Sequence, residues 1–294
     1  MELHGKCKRR TKIKLGVNTW VWTAPLSNEA LEELVPKVSD AGFDQIEFPL
    51  EGIGDFDYDR ARALTEEYGL DVSCCVAMGP DRDLVHPDPA IQANGMEYLR
   101  QAIDVTQQVG GTNLVGPIYS AVGRKWKATP EERAADVDTL VGYLKELADY
   151  AAGHGVVLGV EPLNRFETSF INIHNQAIEV VDRVDHPNCG IMLDTFHMNI
   201  EEKDLDEAIR HTGDRLVHVH ACENDRGAPG SGNVNWEKVA AALQAINYDG
   251  PVVIESFTAD VESIAEAAAI WRKLAPSQDQ LAADGLVFLQ DLLG

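Results

Sequence analysis

The chain of 294 residues has the pattern of an α/β protein, and we predict a single (β/α)8 TIM barrel with a C-terminal helical extension. Two observations predict this fold class. Eight short apolar segments alternate with segments of helical spacing, and the apolar segments are mostly continuous, as in parallel strands that are covered on both faces. The last four apolar segments also each end at a carboxylate or an imidazole, which indicates one shared functional face.

The first half of the chain supplies four of the predicted strands. Their helices end at glycines, since Gly42, Gly69 and Gly110 each follow the last residue of helical spacing. The first strand is followed by Trp20 and Trp22, whose bulk argues against the glycine-rich phosphate loop that a doubly wound sheet would need there. The predicted strands are 13–18, 45–50, 71–77 and 113–118, and the predicted helices are 28–41, 58–68 and 89–109.

The second half continues the alternation without an interdomain linker or a low-complexity tract. Pro130 occupies the favoured first turn of a long helix, and Pro162 ends the fifth strand. The predicted strands are 156–161, 189–194, 215–220 and 251–255, the helices are 130–154, 175–184, 204–212 and 236–246, and residues 261–293 form two helices that separate near Pro276 and Ser277. We therefore expect one catalytic domain over residues 13–294, preceded by a loose basic arm over residues 1–12.

Composition excludes several classes of partner. With 48 acidic and 25 basic residues, the net charge of −23 repels a phosphate backbone and an anionic membrane, so we expect no nucleic acid and no membrane partner. The five cysteines lack zinc-type spacing and indicate free thiols in a reducing compartment. No apolar run is long enough to cross a membrane, and the basic start lacks the apolar stretch of a signal peptide, so a cytoplasmic protein is expected.

Four strand ends carry the chemistry that a metal ion would accept. Glu161, Asp194, His220 and Glu255 end the fifth to eighth strands, and in a barrel these ends meet at one face. A polar residue at a single strand end is ordinary, but four successive ends with ligand chemistry favour a metal site. Three carboxylates and one imidazole suit Mn²⁺, Mg²⁺ or Co²⁺ better than a thiolate-binding metal.

Glu161 and Glu255 also suggest a reaction. Strands five and eight are separated around the ring, so their carboxylates can approach a bound molecule from opposite sides. One carboxylate can remove a proton next to a ketone and the other can return one to the opposite face, which inverts that carbon through an enediolate. The alternative is that both glutamates are only ligands and that the base lies elsewhere.

Four motifs resemble those of the D-tagatose 3-epimerase and D-allulose (psicose) 3-epimerase family, the ketose 3-epimerases among the xylose-isomerase-like barrels. They are Glu161-Pro-Leu-Asn-Arg-Phe-Glu167, Leu193-Asp-Thr-Phe-His-Met-Asn199, His218-Val-His220 and Ile254-Glu-Ser-Phe257. The resemblance implies a divalent metal, usually Mn²⁺, on Glu161, Asp194, His220 and Glu255, with Glu161 and Glu255 as the two acid/base groups. It also implies a homodimer or homotetramer.

Three further residues match positions that hold sugar hydroxyls in that family, namely Glu167, His197 and Arg226. Arg226 follows the seventh strand, where its guanidinium could bind two oxygens of a substrate or pair with Asp225 at the surface. His197 lies three residues after Asp194 and can overhang the same opening. Glu167 could orient a substrate or bond a loop.

The expected activity is inversion of C3 of a free ketohexose or ketopentose of the D-tagatose, D-allulose/D-fructose or L-ribulose type. The segments after the first and fourth strands, residues 18–22 and 119–126, depart from the resembled family, so the reaction class is better defined than the sugar. The alternative is a 1,2-isomerase of the hydroxypyruvate-isomerase type. An endonuclease-IV-like enzyme would need a histidine-rich zinc site and a basic face, and a non-catalytic sugar-binding protein would not need both Glu161 and Glu255.

Overall fold

A computed structural model describes residues 13–294, and its eight parallel strands close into a barrel in sequence order, with β8 beside β1. The predicted TIM barrel is therefore confirmed. The strands are β1 Leu15–Asn18, β2 Gln45–Pro49, β3 Asp71–Cys75, β4 Asn113–Gly116, β5 Val157–Val160, β6 Cys189–Asp194, β7 Leu216–Ala221 and β8 Val252–Ile254.

Helices cover the outside of the barrel and begin at capping residues. Ser27 caps the first helix, and Thr129 and Glu132 form a capping box at the longest one. The helices are α1 Asn28–Ala41, α2 Tyr58–Tyr68, α3 Pro89–Gln108, α4 Pro130–His154, α5 His174–Val184, α6 Thr195–Glu201, α7 Leu205–Thr212, α8 Trp236–Ala245, α9 Glu262–Ala267 and α10 Gln278–Leu293.

The strands are shorter than the apolar pattern predicts, because the chain turns away from the ladder early at several of them. The fourth strand ends at Gly116, whose φ of +128° is not that of a strand, although the apolar sequence continues to Ile118. The third strand likewise ends at Cys75 rather than at Ala77. These early ends leave irregular backbone at the C-terminal face of the barrel, where side chains can converge.

Helix α6 is an element that the hydrophobic pattern does not predict. It starts directly after β6, because the Asp194 side chain accepts a hydrogen bond from the backbone N–H of Phe196 at 2.7 Å and caps the helix. This short helix places His197 one turn above the strand end. The sequence feature that could have predicted this helix is Asp194, a favoured N-cap residue. The same aspartate, at the end of β6, is also a predicted metal ligand.

The core lies inside the barrel and between its strands and helices. The strands are almost wholly buried, as their continuous apolar sequences predict, and α10 packs against β1 and β8 and buries its Leu281, Leu286 and Leu289. None of the helices described over residues 13–294 is long and apolar enough to span a membrane. The predicted arm over residues 1–12 lies outside the described residues, and the assignment of residues 13–294 to one catalytic domain stays a prediction.

Candidate active site

The four predicted ligands converge at the C-terminal face of the barrel. Glu161 and Glu255 directly follow β5 and β8, Asp194 is the last residue of β6, and His220 lies in β7 beside Asp194 in the strand register. All four are buried, with at most 5% of each residue exposed. Candidate ligand atoms of Glu161, Asp194 and His220 all lie within 4.8 Å of one another.

Arg226 contacts two of the four predicted ligands. Its Nη1 donates to Asp194 Oδ2 and to Glu255 Oε2, both at 2.6 Å, and its guanidinium lies 4.0 Å from the centroid of the Phe196 ring. The backbone of Arg226 has φ +68°, a region that non-glycine residues seldom occupy, and Ser256 Oγ donates to its carbonyl at 2.6 Å. The fold therefore holds this arginine in a strained conformation over the carboxylates.

A buried glutamate fixes the loop that carries Arg226. Glu223 follows β7 and is fully buried, and its Oε1 accepts hydrogen bonds from the backbone N–H of Gly230 at 2.9 Å and from Trp236 Nε1 at 2.6 Å. Its Oε2 accepts the N–H of Val234 at 3.2 Å. These bonds close the loop onto itself and leave Arg226 directed toward the barrel axis.

His197 and Glu167 approach the site from α6 and from the loop after β5. Asn164 joins them, because its Nδ2 donates to Glu167 Oε1 at 2.7 Å and its backbone N–H donates to His197 Nδ1 at 3.1 Å. With Nδ1 as an acceptor, the ring proton of neutral His197 lies on Nε2, which is 3.7 Å from Glu161 Oε1 and 3.1 Å from Arg226 Nη2. The N–H groups of His197 Nε2 and Arg226 Nη2 therefore lie side by side and do not hydrogen-bond to each other, since both are donors.

The electrostatic surroundings shift the pKa values of the two predicted acid/base groups, Glu161 and Glu255, in opposite directions. Burial, with the nearby charges of Asp194 and Glu255, raises the pKa of Glu161 well above its usual value. Burial also acts to raise the pKa of Glu255, but His220 and Arg226 outweigh it and hold that pKa below its usual value. The two chemically identical carboxyls therefore have opposite shifts.

The pKa values of two predicted substrate contacts, His197 and Glu167, are also shifted. Burial lowers the pKa of His197 to about 3, so the imidazole is neutral near pH 7. Burial raises the pKa of Glu167, although Arg226 acts in the opposite direction. A neutral His197 can donate one hydrogen bond without adding charge to the site.

The residues present fit a divalent cation. Among the described residues, no side chain donates a hydrogen bond to the Glu161 carboxylate, and the buried Nδ1 of His220 has no hydrogen-bond partner. Buried anionic oxygens and an orphaned imidazole nitrogen are costly unless a ligand satisfies them. The mixture of carboxylate oxygens with one imidazole nitrogen suits Mn²⁺, Co²⁺ or Mg²⁺.

A cavity of about 130 Å³ opens at this face, and its lining has two halves. One half is polar and contains the side chains predicted to act on the substrate. The other half is apolar and includes residues from the loops after β1, β4 and β8 and from α9. The polar half is Glu161, Glu167, His197, His220, Arg226 and Glu255, and the apolar half includes Trp20, Val122, Leu163, Phe257, Ile264 and Ala267.

Two buried residues of the site are absent from the set that the sequence predicts. Glu47 on β2 is fully buried and lies 2.6 Å from His220 Nε2 through its Oε1. Cys222, just after β7, lies close to Asp194 and Glu255 and receives a hydrogen bond from Arg226 Nη1 at 3.2 Å. A charged residue inside the apolar run Ile46-Glu47-Phe48 is the signal that could have identified Glu47, while a single cysteine after a strand offers none.

Comparisons of this chain with a protein-family model and with individual sequences agree with one another. The family described as xylose isomerase-like TIM barrel matches residues 35–279. A ketose 3-epimerase of Arthrobacter globiformis is 36% identical over 96% of this chain and 97% of its own length. An L-ribulose 3-epimerase of Methylomonas sp. is 35% identical over 95% of this chain and 97% of its own length.

A solved structure agrees with these sequences. The crystal structure of D-allulose 3-epimerase from Methylomonas sp. in complex with D-allulose superimposes with a TM-score of 0.89 at 34% identity, covering 96% of this chain and 98% of that one. The match therefore extends over nearly the whole of both chains. The chain belongs to the xylose isomerase-like TIM barrel family and, within it, to the ketose 3-epimerases, which are isomerases.

Proposed function

We propose that this protein inverts C3 of a free ketohexose or ketopentose with the aid of a divalent metal, and that Glu161 and Glu255 carry the proton. The observation that carries the proposal is the presence of these two buried carboxylates in one cavity, on strands that lie three positions apart in a ring of eight. Such a pair can address opposite faces of one carbon, which inversion requires.

Glu161, Asp194, His220 and Glu255 would hold the metal, with Mn²⁺ as the first candidate and Co²⁺ or Mg²⁺ as alternatives. When bound, the metal would act as a Lewis acid toward the ketone and hydroxyl oxygens of the sugar. The Glu161 carboxylate, to which no described side chain donates, and the orphaned Nδ1 of His220 support this assignment. Arg226 already neutralises part of the negative charge of Asp194 and Glu255.

The two glutamates would then exchange a proton with C3. The ionised glutamate accepts the C3 proton, the C–H electron pair moves into the C2–C3 bond, and the ketone oxygen takes up the negative charge of an enediolate. The other glutamate, in its protonated form, donates its proton to the opposite face of C3 as the ketone re-forms. In the metal-free protein the pKa of Glu161 is raised and that of Glu255 is lowered, so Glu161 is the more readily protonated of the two carboxyls.

Arg226, His197 and Glu167 would hold the oxygens of the sugar. The two neighbouring N–H donors of Arg226 and His197 suit one oxygen that gains negative charge during the reaction. Glu167 has one carboxylate oxygen bonded to Asn164, and the other can accept from a sugar hydroxyl. This arrangement would orient C3 between Glu161 and Glu255.

The cavity favours an unphosphorylated sugar. Among the described lining residues, Arg226 is the one Lys or Arg, and its guanidinium is already paired with two carboxylates. A sugar phosphate would bring a dianion into a cavity that the carboxyl groups of Glu161, Glu167 and Glu255 also line, and its described lining has no unpaired Lys or Arg to bind the phosphate. Ketoses of the D-tagatose, D-allulose/D-fructose or L-ribulose type fit this limit, as do the substrates in the names of the relatives.

The cellular setting is also part of the proposal. Cys74, Cys75, Cys189 and Cys222 are free and buried, which supports a cytoplasmic protein in a reducing compartment. We further propose a homodimer or a homotetramer, on the basis of the family resemblance. Gel filtration with light scattering tests the assembly.

Isotope exchange tests the reaction. The metal-loaded protein is incubated in D₂O with a panel of free ketoses, and the products are separated by chromatography and analysed by NMR. Epimerisation places deuterium at C3 and produces the C3 epimer. Label at C1 or C2 together with an aldose would instead establish the alternative 1,2-isomerase, and recovery of each ketose without label would refute the proposal.

A further inference from the structure

Glu47 places a charged carboxylate in the interior of the barrel, below the candidate metal site. It lies in the middle of β2 and is fully buried. A buried ionised carboxylate is costly unless several donors surround it, so a fold retains one only where the surrounding groups satisfy it. The donors around Glu47 therefore indicate what this residue contributes to the site.

Those donors come from three other strands of the barrel. Oε1 accepts from Asn18 Nδ2 on β1 at 2.9 Å and lies 2.6 Å from His220 Nε2 on β7. Oε2 accepts from Ser73 Oγ on β3 at 2.7 Å and lies 3.0 Å from His218 Nε2. The carboxylate is thus fixed from both sides of the barrel, and His220 is the one of these partners that also reaches the candidate metal site.

The two nitrogens of His220 have different surroundings. Nε2 bonds to Glu47, whereas Nδ1 has no hydrogen-bond partner and is the nitrogen that faces Glu255 Oε1, at 3.2 Å. A histidine binds a metal ion as the neutral imidazole, and when its Nε2–H donates to a carboxylate its lone pair lies on Nδ1. A carboxylate behind a metal-binding histidine fixes the tautomer and the orientation of the ring in this way.

Glu47, His218 and His220 could also be considered as ligands of a second cation, since their ligand atoms lie within 4.8 Å of one another. That site would require His220 Nε2 as a ligand, and this nitrogen already donates to Glu47 at 2.6 Å. The same histidine would then bind one cation through Nδ1 and a second through Nε2, which requires loss of the ring proton. The hydrogen-bonded arrangement keeps that proton on Nε2 and leaves Nδ1 as the one ligand atom.

We propose that Glu47 is the positioning residue of the metal centre: it holds the His220 ring with its proton on Nε2 and directs Nδ1 to the metal beside Glu161 and Asp194. This inference rests on the proposed metal-dependent function, and it adds a residue from the opposite side of the barrel to that site. Glu47 contacts neither the metal nor the sugar in this proposal.

The test compares Glu47→Gln with Ser73→Ala. Glu47→Gln keeps the size of the side chain but removes its charge and one acceptor oxygen. Ser73→Ala removes a donor from the other carboxylate oxygen, Oε2, and leaves the bond to His220 intact. Mn²⁺ binding to the metal-free proteins is measured by calorimetry, and folding of the metal-free forms is followed by circular dichroism and thermal melting.

We expect the Kd for Mn²⁺ to rise about 10- to 100-fold in Glu47→Gln, with its metal-free fold retained, and to change less than about threefold in Ser73→Ala. Wild-type affinity in folded Glu47→Gln, or an equal loss of affinity in both variants, would overturn the positioning role while leaving the metal site in place. Absence of Mn²⁺ binding to the wild-type protein would refute the metal-dependent function itself.

A second measurement needs no variant of Glu47. In the Co²⁺-loaded wild-type protein, a ligating His220 gives a strongly shifted proton NMR signal from its Nε2–H. Since that proton is buried and bonded to Glu47, we expect one such signal that exchanges slowly with D₂O and is absent in His220→Gln. If the His220 signal is missing or exchanges at once with solvent, the hydrogen bond to Glu47 does not hold the ligand, and the inference fails.

Discussion

At the residue scale, two glutamates of the site have opposite pKa shifts because their neighbours differ. Glu161 and Glu255 are both buried, with 5% and 4% exposed. Glu161 faces other carboxylates without a donor of its own, while Glu255 contacts His220 and Arg226. In the metal-free protein, Glu161 therefore binds a proton more readily, and Glu255 more readily stays ionised.

The first prediction concerns these two glutamates. Glu161→Gln and Glu255→Gln each keep an oxygen ligand but lose the basic oxygen, so each is expected to lower the epimerisation rate by about 10²- to 10⁴-fold. In the proposed mechanism each glutamate serves one face of C3, so one variant is expected to exchange the C3 proton of one epimer with D₂O while it forms no product. A near wild-type rate in either variant with metal bound would contradict the two-carboxylate mechanism and make His197 the first candidate base.

The second prediction concerns Arg226, a proposed substrate contact that pairs with two of the proposed metal ligands, Asp194 and Glu255. Arg226→Ala removes a cation and frees oxygens of Asp194 and Glu255, so we expect Mn²⁺ affinity to be kept or increased. The kcat/KM for the best ketose is expected to fall by at least about 10-fold, because a charged hydrogen bond to the sugar is lost. Arg62→Ala is the control, since Arg62 is exposed on α2 and pairs with Glu66 of the same helix. Loss of metal in Arg226→Ala would show that this residue builds the metal site rather than the substrate site.

At the element scale, the loop after β5 is held in place by helix α6. Glu201 on α6 accepts a hydrogen bond from the backbone N–H of Arg165 at 2.7 Å and two from its guanidinium at 2.9 Å. Asn164 in the same loop bonds both Glu167 and His197. These bonds join the helix to the loop and bring the predicted substrate contacts His197 and Glu167 together.

The third prediction tests this connection through pH. Burial acts to raise the pKa of Glu201, but the bonds from Arg165 outweigh it and the pKa is lowered in the folded protein. A lowered folded-state pKa stabilises the fold above the unfolded value of 4.5 and loses that contribution as the pH falls through the folded value. Glu201→Gln should therefore lower the free energy of unfolding by about 1 kcal/mol at pH 7, and the deficit should shrink below about pH 4.5.

Urea denaturation of wild type and Glu201→Gln from pH 8 downward measures this difference. Glu67→Gln, at an exposed glutamate of α2, is the control and should show no such pH-dependent deficit. A deficit that stays constant well below the unfolded pKa would mean that the charge of Glu201 does not stabilise the loop.

At the scale of the whole molecule, the barrel brings negative charge together. The chain has a net charge of −23, and the C-terminal face brings together the buried carboxylates of Glu161, Asp194 and Glu255 beside Arg226. Self-repulsion of this kind opposes folding, and a bound divalent cation relieves it.

The fourth prediction is that a divalent cation stabilises the folded protein, because it offsets the repulsion among the buried carboxylates. A ligand that binds only the folded state stabilises it, by about 2.7 kcal/mol at a concentration 100 times Kd. For a domain of this size we expect Mn²⁺ to raise the Tm by about 5 °C and chelation to reverse the shift and abolish turnover. Calorimetric melting with Mn²⁺, Co²⁺, Mg²⁺ or a chelator, together with a turnover assay, measures both effects. Full turnover after exhaustive chelation would refute the metal mechanism.

The barrel and the residues at its strand ends can be predicted from the sequence alone. Continuous apolar runs, glycines after helices and the absence of a phosphate loop after β1 are local signals, and they place Glu161, Asp194, His220 and Glu255 at one face. This succeeds because the topology of a closed parallel barrel brings successive C-terminal ends together, whatever their separation along the chain.

The tertiary structure alone decided which groups contact one another. Glu47 and His220 are 173 residues apart, and no periodicity relates them, yet they share a hydrogen bond across the barrel. The pairing of Arg226 with Asp194 and Glu255 likewise depends on a left-handed backbone and on the loop around Glu223. Hydrophobic patterning specifies which faces are buried, whereas the partners of buried charges are set by the three-dimensional packing that removes water from them.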